Sequence, residues 1–150
     1  MDINELEIDS RIKKFLRDSW KIGKLFPPQS ESLPLSLNGE NILLSVPTAS
    51  GKSLVAHLTL IHRISEKIKG QKGIYIVPLK ALASEKFKEL RELASCVGLK
   101  VGMAIGDRNE STEIDEVDLI GLDTQTTKLA IAEIDPICEG VKFARELVSA

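Results

Sequence analysis

The chain has little of what builds a disulfide-stapled or membrane-spanning protein. Its 150 residues hold two cysteines, Cys96 and Cys138, too few for a cross-linked framework. No apolar run approaches the roughly 20 residues needed to cross a bilayer. The first residues lack the basic start and apolar core of a secretory signal. Aromatic residues make up 4% of the sequence. His57 and His62 stand five apart, so they do not share a helix face as metal ligands would, and both are expected at the surface or its boundary. Neither sign of charge dominates: the formal net charge is -2 and the pI is near 5.8. Without a global basic field, any nucleic-acid contact must come from a local patch. A reducing, cytoplasmic setting fits these absences, with no membrane partner. What remains, 43% hydrophobic and 28% charged, suffices for one buried core.

Residues 41–53 organise the rest. Leu43, Leu44 and Val46 read as a buried strand, which Pro47 ends by removing a ladder donor. Thr48, Ala49 and Ser50 keep their side chains small and Gly51 has none, so backbone N–H groups can close around a phosphate chain at a helix start. Lys52 adds a point charge for the β and γ phosphates, and the Ser53 hydroxyl is placed to ligate magnesium. Val46 stands where the general G-x-x-x-x-G-K-[ST] form has its first glycine.

Upstream, Ser10 can cap a helix with Ile12, Phe15 and Leu16 on one side and basic residues on the others. Pro27 and Pro28 stiffen the backbone before Gln29, whose amide can accept from and donate to an adenine edge. The helix after Pro28 should reach Leu37 and close at Asn38-Gly39, with a kink or irregular segment at Pro34. Beyond the loop, Leu54, Leu58, Ile61, Ile64 and Ile68 give one apolar helical stripe. A strand at 73–77 runs into Pro78, Leu79 and Lys80, placing Lys80 at a strand's carboxyl end, where open parallel sheets bind ligands. The next helix carries Ala83, Phe87, Leu90, Ala94 and Val97, and Gly98 ends it. Strands at 100–105 and 117–122 follow, separated by a polar loop over 108–116. The alternation predicts an α/β fold, a mostly parallel sheet with right-handed crossovers and helices on both faces.

Three segments, Leu25-Phe26-Pro27-Pro28-Gln29, Val46 to Ser53 and Pro78 to Leu82, occur in order and at natural spacing. Together they resemble an archaeal superfamily 2 DExH DNA helicase of the Hjm repair type. The resemblance spans about residues 10–122 and covers a truncated, RecA-like P-loop domain, with 123–150 as a divergent tail. It implies that Gln29 reads adenine as the Q motif and that Thr48, Gly51, Lys52 and Ser53 bind ATP with Mg2+. It implies also that Pro78, Leu79 and Lys80 lie along single-stranded or branched DNA. Gly106-Asp107 matches the turn that these helicases place after their third strand, and the family's own Val or Met explains Val46. Lys128 falls in a loosely similar DNA-contacting segment.

The family's Asp-Glu-x-His has no counterpart, because Asp115-Glu116 follows residues too polar for the buried strand that must aim those carboxylates. No catalytic residue is therefore assigned, and hydrolysis by this stretch is expected to be feeble. The second motor domain lies beyond this length. A companion chain carrying the missing segments is the partner implied, and a non-catalytic interaction module is the alternative reading. A sheet cut short should expose an apolar edge and favour association.

Overall fold

Ile12 and Leu16 lie one turn apart, and burying both makes residues 10–18 a helix, α1 (Ser10–Asp18). The structure, a computed structural model, describes residues 1–47, 51–67, 70–77, 80–105, 108–109 and 116–123. Asp9, and not Ser10, caps α1: its Oδ1 accepts from the Arg11 amide at 2.8 Å, and its carboxylate also holds the Arg11 side chain at 2.9 Å. The Asp9 carboxylate engages both groups at once, Oδ1 taking the amide and Oδ2 the guanidinium with full charge complementarity. Ahead of it, a 3-10 turn at Ile3–Glu5 is capped by Asp2 and drives Ile3 into the core.

The double proline starts α2 (Pro27–Leu37), which runs on through Pro34 where the sequence predicts a kink or irregular segment. Pro34 withholds the hydrogen bond due to the Ser30 carbonyl. Packing compensates: Leu33 and Leu37 are buried, and Ser36 Oγ lies 2.7 Å from Thr59 Oγ1 of the following helix. Closure falls at Asn38-Gly39 as predicted. Gly39 N donates to Ser36 O and Glu40 N to Leu35 O, around a left-handed glycine with φ of +98°.

Helix α3 (Lys52–His62) continues as a π-helical turn over Arg63–Lys67. Leu54, Leu58, Ile61 and Ile64 are buried, as their spacing predicts, while Ile68 lies outside the described residues. His57 corrects the expectation of a surface or boundary histidine, being 1% exposed. It stands three residues after Leu54 and four before Ile61, squarely on the apolar face. His62 is half-buried, at the boundary as expected.

The sheet comprises β1 (Gly73–Val77), β2 (Val101–Ile105), β3 (Arg108–Asn109) and β4 (Leu119–Asp123), with α4 (Lys80–Ser95) between β1 and β2. Its order is β1-β4-β2-β3, and β4 runs parallel to both neighbours. β3 replaces the start of the predicted loop, pairing antiparallel with β2 along an otherwise open edge. Phe87 of α4 lies on Gly121 so closely that an added Cβ would sit 2.8 Å from its ring. That contact lets α4 settle on the sheet beside Tyr75 and Val77. Ile74, Val117 and Ile120 form a small cluster on the opposite face.

One expected strand is missing. Residues 41–47 join no ladder, and Leu43 is 96% exposed. An apolar run specifies that a segment should be buried but not against what, and no described strand pairs with this one.

Candidate functional site

Gly51 sits where α2 meets the start of α3. It has φ of +77°, a left-handed conformation that glycine adopts without steric cost. Its missing side chain matters equally, because a Cβ there would collide with Nε2 of Gln29. Gln29 is 4% exposed, and its amide bridges two backbones: Oε1 accepts from Phe26 N at 2.9 Å, and Nε2 donates to Gly51 O at 3.1 Å. Each end keeps capacity for one further partner, a second N–H and a second lone pair. The helix that carries Gln29 is thereby tied to the glycine that begins α3.

Lys52 follows, its Nζ donating to Val46 O at 2.6 Å. Ser53 stands on the first turn of α3. Burial pushes the Tyr75 phenol above its ordinary pKa, and the Ser53 hydroxyl works in the opposite sense. Gln29, Gly51, Lys52 and Ser53 line a single cavity of about 640 Å³, within the range of small-molecule sites. Trp20 and Phe26 supply aromatic surface on the same cavity, and Phe26 is 59% exposed.

Several residues in the cavity escaped the sequence reading, Trp20 among them. Lys86 and Glu89 reach it from α4, paired at 3.5 Å one turn apart. His57 lies beneath, edge-on to Tyr75 with ring centroids 5.1 Å apart and both ring nitrogens without hydrogen-bond partners. Burial, aided by the Lys86 charge, pulls its pKa down to about 4, so it is neutral at pH 7. Position on the apolar face of α3 was a signal that could have found His57. The α4 pair had none, since i,i+3 charges usually mark a solvated face.

Of the other predicted site residues, Thr48, Ala49, Ser50, Pro78, Leu79 and Lys128 lie outside the described residues, as do Gly106, Asp107 and Asp115. Lys80 opens α4 just past the carboxyl end of β1. Glu116 is exposed beside β4, in a turn and not in a buried strand. Among the described residues no group of three His, Cys, Asp or Glu could hold a metal ion, and no helix is long and apolar enough to cross a membrane.

Comparison with known proteins accords with this geometry. A model of the DEAD/DEAH box helicase family matches residues 26–138. The ATP-dependent DNA helicase Hel308 of Pyrococcus horikoshii is 47% identical over 114 residues, which is 75% of this chain and 15% of that protein. Hel308 of Methanocella arvoryzae is 41% identical over 133 residues, 85% of this chain and 17% of the relative. The chain thus spans about one sixth of the length of these relatives. Among solved structures, a DEAD box protein from Methanococcus jannaschii superposes with a TM-score of 0.76 at 24% identity, over 89% of this chain and 37% of that one. Dbp5 of S. cerevisiae bound to RNA and ADP BeF3 gives 0.77 at 19% identity, over 88% and 34%. The α/β architecture predicted from strand and helix alternation is that of RecA-like helicase domains. With residues 26–138 matched and the fold shared, the chain belongs to the DEAD/DEAH box helicase family.

Proposed function

We propose that this chain is the ATP-binding part of an ATP-dependent DNA helicase motor. The observation that carries the reading is the convergence of Gln29, Gly51, Lys52 and Ser53 on one cavity. In this reading Gln29 offers its remaining N–H and lone pair to adenine, and Phe26 or Trp20 gives the base an apolar surface. Backbone N–H groups from Thr48 to Gly51 hold the phosphates, and Lys52 leaves Val46 to neutralise their charge. Ser53 contributes one hydroxyl to magnesium, which suits an ion that keeps most of its ligands from water and phosphate. Pro78, Leu79 and Lys80 lie along a DNA strand beyond the carboxyl end of β1. The residues that would orient the attacking water belong to motor segments not carried here, so the stretch binds and neutralises without accelerating hydrolysis appreciably. A cytoplasmic location follows from that role.

Equilibrium binding of a fluorescent ATP analogue with magnesium tests this. Saturable binding to the chain as given, lost in Lys52→Ala and made indifferent to the base in Gln29→Ala, is the expected result. Absence of binding to a chain with a cooperative melt would sink the proposal and leave an interaction module as the better reading.

A further inference from the structure

We propose that the Lys86–Glu89 pair reads the ribose of the nucleotide, so that the cavity takes ribonucleoside triphosphates in preference to their deoxy counterparts. The inference rests on the nucleotide-binding reading above and adds the sugar to it. In that reading Gln29 takes the base, while Gly51, Lys52 and Ser53 take the phosphates. A pentose joins the two, and its vicinal hydroxyls shed water on entering the cavity, so they need polar partners there. Apart from the groups already assigned, the polar side chains with charge or ring nitrogens on this lining are His57, Lys86 and Glu89. His57 is buried and edge-on to Tyr75, which makes it backing for the wall. The α4 pair is left to meet the sugar.

Glu89 has the chemistry that a sugar hydroxyl needs. An ionised carboxylate only accepts hydrogen bonds, and a hydroxyl always has one to donate. A carboxylate on a ribose hydroxyl is also how open α/β sheets hold the sugar of a dinucleotide. Without such a task its charge is out of place: among the described residues it is the sole anionic side chain lining a cavity meant for a triphosphate, and like charges repel. Lys86 offsets that repulsion. Its Nζ lies 3.5 Å from Oε2 of Glu89, and among the described residues Oε1 accepts no hydrogen bond. The helix fixes where the pair stands. Lys86, Glu89 and Glu92 recur every third residue and form one stripe along α4. Glu92 accepts from the Trp20 indole at 3.3 Å, which holds that stripe against the aromatic wall of the cavity. Phe87, seated on Gly121, and the buried Leu90 anchor the same helix on the sheet. Groups carried on an anchored helix are held more precisely than groups on a loop.

Calorimetric titration of the 150-residue chain with ATP, 2′-deoxy-ATP and 3′-deoxy-ATP, each with magnesium, tests this. ATP should bind at least about tenfold more tightly than one of the deoxy analogues, the loss expected when a charged acceptor gives up one hydrogen bond. The analogue that shows the loss identifies the hydroxyl that Glu89 holds. Glu89→Ala should erase the preference by weakening ATP while leaving that analogue's affinity unchanged or higher. Lys86→Met should weaken ATP and both analogues together, because it leaves the carboxylate unscreened beside the triphosphate. Both side chains are partly exposed, so the variants should melt close to the parent. The comparison on the parent needs no substitution and decides the matter even if a variant misfolds. Equal affinity of the parent for all three nucleotides would overturn the proposal while leaving nucleotide binding intact. So would a preference that survives Glu89→Ala, or a Lys86→Met chain that binds all three as the parent does. Binding of none of the three by a folded parent would sink the proposed function, and this inference with it.

Discussion

At Gly51 one missing side chain meets two demands, a left-handed backbone and room for the Gln29 amide. Gly51→Ala should therefore cost about 1–3 kcal/mol from backbone strain alone and should also displace Gln29. Urea unfolding is expected to show the stability loss, and nucleotide titration a weaker and less base-selective site. His57 carries a different prediction. Its folded pKa of about 4 lies below the ordinary 6.5, so the unfolded chain binds more protons between those values. Stability should be full above pH 6.5 and fall by up to about 3 kcal/mol as the pH drops towards 4. His62 is lowered for the same first reason, burial, and works in the same direction. His57→Leu should flatten most of this dependence in urea titrations at pH 7.5, 5.5 and 4, and should raise stability at pH 7.5 by removing two unpartnered nitrogens. An unchanged pH slope would show that the imidazole is not held neutral. Residue identity announced the glycine and the lysine. It did not announce burial of His57, because only its spacing from Leu54 and Ile61 reveals the face it occupies.

Among the elements, α2 tests whether packing can outweigh backbone chemistry. Pro34 sits in its interior, and the helix persists through contacts of Leu33, Leu37 and Ser36 with the core and α3. Pro34→Ala restores a donor for the Ser30 carbonyl and frees the unfolded chain slightly, for a net gain of about 1–2 kcal/mol. A rise in Tm by calorimetry is the expected outcome; a fall would mean that the ring itself fills space no alanine can. The helices were legible because their apolar spacing is local: Ala83, Phe87, Leu90 and Ala94 all proved buried. β1, β2 and β4 were legible for a similar reason, as short apolar runs bounded by turn residues. Residues 43–46 had the same signature and formed no strand. The difference lies in a partner, which no local pattern encodes. The two-residue β3 was equally hidden, since it depends on the edge that β2 offers.

For the whole molecule, stability should be graded across the sheet. β4 is central, paired on both sides, whereas among the described residues β1 has one open edge and residues 41–47 join no ladder. Hydrogen exchange should be slowest in β4, faster on the outer edge of β1 and nearly unprotected over 41–47; uniform protection would contradict this topology. The sequence predicted parallel pairing correctly but could not give strand order, because order is a property of contacts distant along the chain. That order bears on synthesis. β4 is the last of the four strands to be made, yet it lies between β1 and β2. While the ribosome adds the roughly 40 residues from Val77 to Leu119, about 2–8 s at cellular rates, neither earlier parallel strand has its eventual neighbour. For those seconds β1 emerges with both edges bare, so chaperones that shield extended apolar chain should matter most while this stretch of the polypeptide is being made.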